Sequence, residues 1–263
     1  MVCKWVSTRP IFIPMGGPWD HERFDKNKMG QDNHPQRIPD QVRLLKPVAM
    51  KMSEKKYSDL GAVTPEAREI YNKSRNFIAG IVGDETPEDK IKQRCVIATG
   101  DLGVAEILRF KNDPVNAGLA ALDEGAATYV DIKMVEAGVV KKGHESPVIT
   151  AIGRGDDLAE KEGITRTSAG FLELKKDLSG SIIVIGNAPS ALLTLCDLIE
   201  RGEAKPALVI GVPVGFVNAA ESKERLREID VPSISTEGTR GGTPIAVAAI
   251  NEIINMRHEK KGL

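Results

Sequence analysis

Four short runs rich in glycine and small polar residues are where this sequence is equipped for chemistry. They are Gly153-Arg154-Gly155, Gly186-Asn187-Ala188-Pro189-Ser190, Gly211-Val212-Pro213-Val214-Gly215-Phe216 and Glu237-Gly238-Thr239-Arg240-Gly241-Gly242-Thr243. Glycines in such runs let the backbone approach a ligand, and N–H groups at helix starts suit anionic oxygens. Turns need Gly, Asn and Pro as well, so no single run settles a function. Gly153-x-Gly155 lacks the third glycine of a dinucleotide fingerprint. A GxxxxGK[ST] phosphate loop, a GxSxG elbow and an HExxH pair are all absent, which removes the common nucleotide, hydrolase and zinc classes. Cys3, Cys95 and Cys196 are widely separated and offer neither a disulfide framework nor a CxxC metal pair, so a reducing compartment is the default. Cys95 and Cys196 fall on apolar helix faces and read as core residues. His21 and His34 have no companion ligands and read as solvated loop residues.

The elements that must position these runs follow from the punctuation. Thr64-Pro65-Glu66 and Thr86-Pro87-Glu88-Asp89 each set a cap, a first-turn proline and an early acid at a helix start. The first start is followed by Ala67, Ile70, Phe77, Ile78 and Ile81 at helical spacing, and the second runs toward Ala98. Asp113-Pro114 opens a third helix, carrying Val115, Leu119 and Leu122 and ending at Gly125. Five apolar runs come next, over 128–132, 147–152, 181–185, 207–212 and 232–235. Helical patterns separate them, the clearest over 188–201, and a last helix runs from Thr243-Pro244 to about Arg257. Continuous apolar strands alternating with helices predict an α/β fold: a three-layer, flavodoxin-like, doubly wound parallel sheet of about five strands, preceded by N-terminal helices. Ligands of such sheets bind beyond the carboxyl ends of the strands, where Asp131 and the glycine-rich runs fall.

The charges nearly cancel, with 36 Lys+Arg against 37 Asp+Glu and a net of −1, which argues against a generally basic nucleic-acid binder. No apolar run approaches the roughly 18–20 residues of a membrane span, and no long apolar signal core opens the chain. A cytoplasmic protein with no nucleic-acid or membrane partner is expected. Residues 1–51 hold 6 of the 15 prolines, both tryptophans, and nine basic against five acidic residues, with no sustained apolar period. Such a segment cannot bury enough apolar surface to offset its ordering entropy. It is expected to be a disordered extension, or upstream sequence before a true start at Met50 or Met52. Residues 52–263 are expected to form the functional domain.

Taken together the loops are more specific than any one of them. GNAPSALL at 186–193, VIGVPVGFVNAAESKERL at 209–226 and GTRGGTPIAVAAIN at 238–251 resemble the precorrin-8X methylmutase (precorrin isomerase) family. DIKMVEAGV at 131–139 and TRTSAGFLEL at 165–174 are similar as well, so the resemblance spans about residues 64–256. It implies an isomerase of cobalamin biosynthesis that moves a methyl group from C-11 to C-12 of precorrin-8X or cobalt-precorrin-8, giving hydrogenobyrinate or cobyrinate. It also implies a flavodoxin-like domain paired into a homodimer, with no redox cofactor and no protein-bound metal; any cobalt arrives inside the substrate.

The resemblance fails at one position. The family's proton-donating histidine lies in an Arg-x-x-His-Ala motif, and this chain reads Arg94-Cys95-Val96-Ile97-Ala98. Isoleucine cannot carry a proton, so the catalytic residue is left unassigned. Asp101 is the nearest titratable candidate, with helix capping as its other role. His144 is a weaker one, in a run that reads as a solvated turn. The binding set that the resemblance implies is Ser74, Arg94, Arg166, Asn187, Lys223 and Arg240, rich in the cations that several substrate carboxylates require. Asn187 is suited either to a substrate carboxylate or to fixing its loop, and Lys223 either to the ligand or to a surface pair with Glu221 or Glu224. Two alternatives to the isomerase stand: a corrinoid-binding paralogue without isomerase activity, and a flavin- or nucleotide-binding flavodoxin-like module.

Overall fold

The computed structural model describes residues 55–262; the expected extension over 1–51 lies outside the described residues. Two helices lead. α1 spans Pro65–Val82, with the Thr64 side chain accepting from the Ala67 N–H. α2 spans Pro87–Thr99 behind a reciprocal capping box of Thr86 and Asp89, and Gly100 ends it in the left-handed conformation. A single helical turn, α3 (Val104–Ile107), gives way directly to strand β1 (Leu108–Lys111). The helix that Asp101 is read as capping is thus a single turn. Leu108-Arg109-Phe110-Lys111 alternates apolar and charged residues, the period of a half-buried strand, and pairs antiparallel with the last strand.

The five expected strands follow as β2 (Thr128–Val130), β3 (Val148–Thr150), β4 (Ile182–Ile185), β5 (Leu208–Gly211) and β6 (Ser233–Thr236). Between them lie α4 (Pro114–Asp123), α5 (Lys133–Gly138), α6 (Asp156–Glu162), α7 (Arg166–Glu173), α8 (Pro189–Glu200), α9 (Ala219–Glu228) and α10 (Thr243–Lys261). The sheet order is β1-β6-β5-β4-β2-β3, and every pairing except β1–β6 is parallel. The parallel strands therefore take the flavodoxin-like order, with an added antiparallel edge that raises the count to six. The chain reverses its direction of travel across the sheet between β2 and β4, which opens a crevice at their carboxyl ends.

Alternate residues of each strand feed two cores. Ile182, Val184, Leu208, Ile210 and Ile234 face one core with Ile91 and Val96 of α2 and Ile250 and Ile253 of α10. Ile183, Ile185 and Val209 face the other with Phe171 of α7 and Leu192 and Leu195 of α8. Both faces of β4 and β5 are thus covered, which is why their sequences run apolar without alternation. Cys95 and Cys196 are buried in these cores, and desolvation pushes each thiol up to about 12.

Candidate functional site

The crevice is organised by Asp131, immediately after β2. Its buried carboxylate accepts backbone N–H groups from Ile132 (3.0 Å), Gly186 (3.3 Å), Asn187 (2.7 Å) and Ala188 (2.9 Å). Burial raises its pKa and these four donors work against the rise, leaving it above the ordinary carboxylate range. Asp131 thereby ties the β4–α8 loop across the switch point, and the exposed side chain of Asn187 stands at the crevice mouth. The signal for this role is an aspartate ending a fully buried strand opposite a Gly-Asn-Ala-Pro run, which is legible only once the two strands are known to be neighbours.

On the β2–β3 side a cavity of about 570 Å³ is lined by Ile132, Lys133, Met134, Ile152, Gly153 and Arg166. Arg166, at the start of α7, makes a bidentate pair with Asp156, both contacts at 3.0 Å, with both side chains mostly exposed. Exposed pairs of this kind hold by only about 0–1 kcal/mol, so a ligand carboxylate can replace Asp156 at small cost.

On the β5–β6 side the loops are stitched to one another. Gly242 N–H donates to Val212 O (2.7 Å) and Gly215 N–H to Thr239 O (3.1 Å). Gly241 passes so close that a Cβ there would lie 2.3 Å from Val212 O, which no other residue allows. Lys223 of α9 is wholly buried, correcting the alternative of a surface pair with Glu221 or Glu224. Its Nζ donates to Thr236 Oγ1 (3.1 Å) and Arg240 O (2.7 Å), and burial lowers its pKa to about 8. It forms no ion pair among the described residues, and it fixes the backbone at Arg240. The Arg240 guanidinium points outward, half exposed, with Nη1 3.2 Å from Asp101 Oδ2. Asp101 Oδ1 accepts from Gly103 N–H (2.9 Å) and so steadies the turn before α3. The structure thus brings Asp101, Lys223 and Arg240 into one cluster.

The N-terminal helices differ. Arg94 of α2 points into the chain, with Nη1 2.7 Å from Asp59 Oδ2 and 3.1 Å from Glu252 Oε2. Arg75, which nothing in the sequence singled out, is 1% exposed and grips the same Glu252 at 2.5 and 3.2 Å. The Tyr71 ring lies 5.9 Å from both guanidinium carbons, and desolvation raises its phenol to about 12. Ile97, one turn beyond Arg94, is half-buried against the first core. Ser74 lies half-exposed on α1, on the stripe that carries the exposed Ile70, Phe77 and Ile81. No hydrogen bond or ion pair joins Ser74 or Arg94 to Arg166, Asn187, Lys223 or Arg240 among the described residues. α2 is the physical link, because its end leads straight to Asp101 and hence to Arg240. The half-buried His144 sets Nε2 2.7 Å from Val140 O, and no group of three or more potential metal ligands occurs among the described residues.

Fold and geometry together define a doubly wound α/β protein whose carboxyl edge carries exposed cations beside exposed apolar side chains. Residues 69–256 match the family model for precorrin-8X methylmutase, and the chain belongs to that family. The family is one of isomerases of cobalamin biosynthesis, which move a methyl group from C-11 to C-12 of the corrin ring. A cobalt-precorrin-8 methylmutase of Methanocaldococcus jannaschii is 44% identical over 213 residues, covering 77% of this chain and 100% of the relative. A precorrin-8X methylmutase of Pseudomonas aeruginosa is 38% identical over 201 residues, covering 73% and 97%. A solved precorrin-8X methylmutase from Thermus thermophilus superposes with a TM-score of 0.68 at 34% identity, covering 73% of this chain and 97% of that one. Among the described residues no helix is long and apolar enough to cross a membrane.

Proposed function

We propose that this chain performs the family's reaction on precorrin-8X or cobalt-precorrin-8 in the cytoplasm, as a homodimer, needing no redox cofactor and no metal of its own. The observation that carries this reading is the meeting of exposed apolar side chains with half-free arginines at the carboxyl ends of the strands. A flat macrocycle edged with carboxylates needs that combination. Arg166 and Arg240 exchange their solvent-facing partners Asp156 and Asp101 for substrate carboxylates, and the Asn187 amide hydrogen-bonds another. Lys223 acts from beneath, by holding the backbone that carries Arg240. Ser74 and Arg94 serve the ligand from the N-terminal helices, Arg94 by giving up Asp59 while Glu252 remains with it.

Ile97 cannot move a proton. A positioned acid contributes about 10²–10⁴-fold, so a methyl shift driven toward a fully conjugated product tolerates its loss. Asp101 is the titratable group nearest the end of α2. The dimer is supported by the exposed stripe of Ile70, Phe77 and Ile81 on α1, which includes Ser74. Assays with metal-free and with cobalt-containing substrate test the proposal: conversion of at least one is expected, and conversion of neither overturns it. Ile97 favours one second reading, a corrinoid binder without turnover, which the same assays separate by showing binding alone.

A further inference from the structure

Phe216 is 95% exposed and its neighbour Val217 is 76% exposed, in the loop between β5 and α9. A lone exposed apolar residue is ordinary, but Val214 stands exposed in the same loop and Met134 on α5, also at the carboxyl edge. The loop does not hang free. Gly215, at φ +149°, ties its N–H to Thr239 O, and Asn218, at φ +61°, gives its carbonyl to Ser222 N–H at the start of α9. Phe216 and Val217 are therefore held outward between two anchored residues, in backbone conformations that glycine and asparagine tolerate. The ordering entropy of the loop is already met by folding, as preorganised binding requires. The same Thr239 adjoins Arg240, so the apolar surface is bordered by a cation fixed to the same ledge.

We propose that Phe216 is a ring-stacking residue of this site, lying against the face of the substrate's conjugated macrocycle while Arg240 takes a carboxylate at its rim. This rests on the function proposed above. The match is one of shape and charge: a flat apolar face wants an aromatic or aliphatic wall, and its charged periphery wants arginine.

The test is binding of the product corrinoid, hydrogenobyrinate or cobyrinate, followed by absorbance, with light scattering on the same samples. Because Phe216 touches little of the fold, Phe216→Ala should fold and assemble as the wild type does. Its Kd for the corrinoid should rise about tenfold or more, the loss expected for withdrawing an aromatic wall. Phe216→Trp should keep affinity within about threefold, and its added indole emission should be quenched by bound chromophore. Affinity of Phe216→Ala within twofold of the wild type, or an unquenched indole at saturation, overturns the proposal. So does a halved assembly mass for Phe216→Ala, which would assign the patch to a protein contact. If the wild type itself binds neither corrinoid, the functional reading falls and this inference falls with it; that outcome shows before any substitution is made.

Discussion

Among the described residues, every large apolar side chain that stands exposed belongs to one of two regions. Val63, Ile70, Phe77 and Ile81 lie on α1 and its approach, while Met134 at the start of α5 and Val214, Phe216 and Val217 of the β5–α9 loop lie at the carboxyl edge. Their arginines are treated in opposite ways. Beneath α1, Arg75 and Arg94 are drawn inside and matched by Glu252 and Asp59, and of these pairs only Arg94–Asp59 would have to open for the proposed ligand. At the carboxyl edge, Arg166 and Arg240 face solvent with partners that are themselves exposed. Burial decides the role: a buried pair is costly to break, and an exposed one exchanges freely. A helical apolar face over closed charges suits another protein surface, and the proposed homodimer would supply one. An apolar ledge beside open charges suits an anionic ligand.

The largest effect is expected at α1. Phe77→Asp places a charge on the stripe and, across a two-fold contact, sets it against its own copy. Light scattering at micromolar concentration should fall from about twice the chain mass to the chain mass. A wild type that is already monomeric would remove the self-association reading of this face. The closed charge cluster comes next. Glu252→Gln leaves Arg75 and Arg94 short of a buried countercharge and should cost about 3–5 kcal/mol in urea unfolding. A cost below about 1 kcal/mol would mean that the cluster is more open than its distances imply.

Lys223 sharpens the other side. The folded lysine releases its proton near pH 8, and the unfolded one near 10.5. Between those values the unfolded state holds more protons, so stability rises with pH. Relative to Lys223→Met, the wild type should gain up to about 3 kcal/mol from pH 8 to 10.5 and no more above it. A flat difference across that window would show that folding leaves the proton affinity of this amine unchanged and so does not desolvate it.

These residues also mark how far the sequence could be read. The caps at Thr64 and Thr86 and the apolar runs that became the five parallel strands depend on local pattern, and the structure has them where the pattern does. β1 escaped because its four residues follow a turn, and its partner Ser233–Thr236 is more than a hundred positions away in the chain. Lys223 sits in Glu-Ser-Lys-Glu, a solvated-looking string, and only the packing of α9 on β6 reveals Thr236 and Arg240 as its partners. Arg75 belongs to no motif, and its meeting with Glu252 is purely tertiary. The glycine-rich loops at the carboxyl edge of the sheet were legible from composition. Which of their charges are free and which are spent depends on burial, which composition does not encode.

The smallest expected change bears on the position without an imidazole. If the site works without a proton donor at Ile97, Ile97→His should leave turnover within about tenfold or raise it, since the helix already places that residue one turn from Arg94. The central expectation is that the wild type isomerises although Ile97 stands in the histidine's place. Its most direct test is single-turnover absorbance with excess wild-type protein and demonstrated substrate binding. The substrate spectrum should be replaced by that of the methyl-shifted product; an unchanged spectrum over hours, with substrate bound, would contradict that expectation.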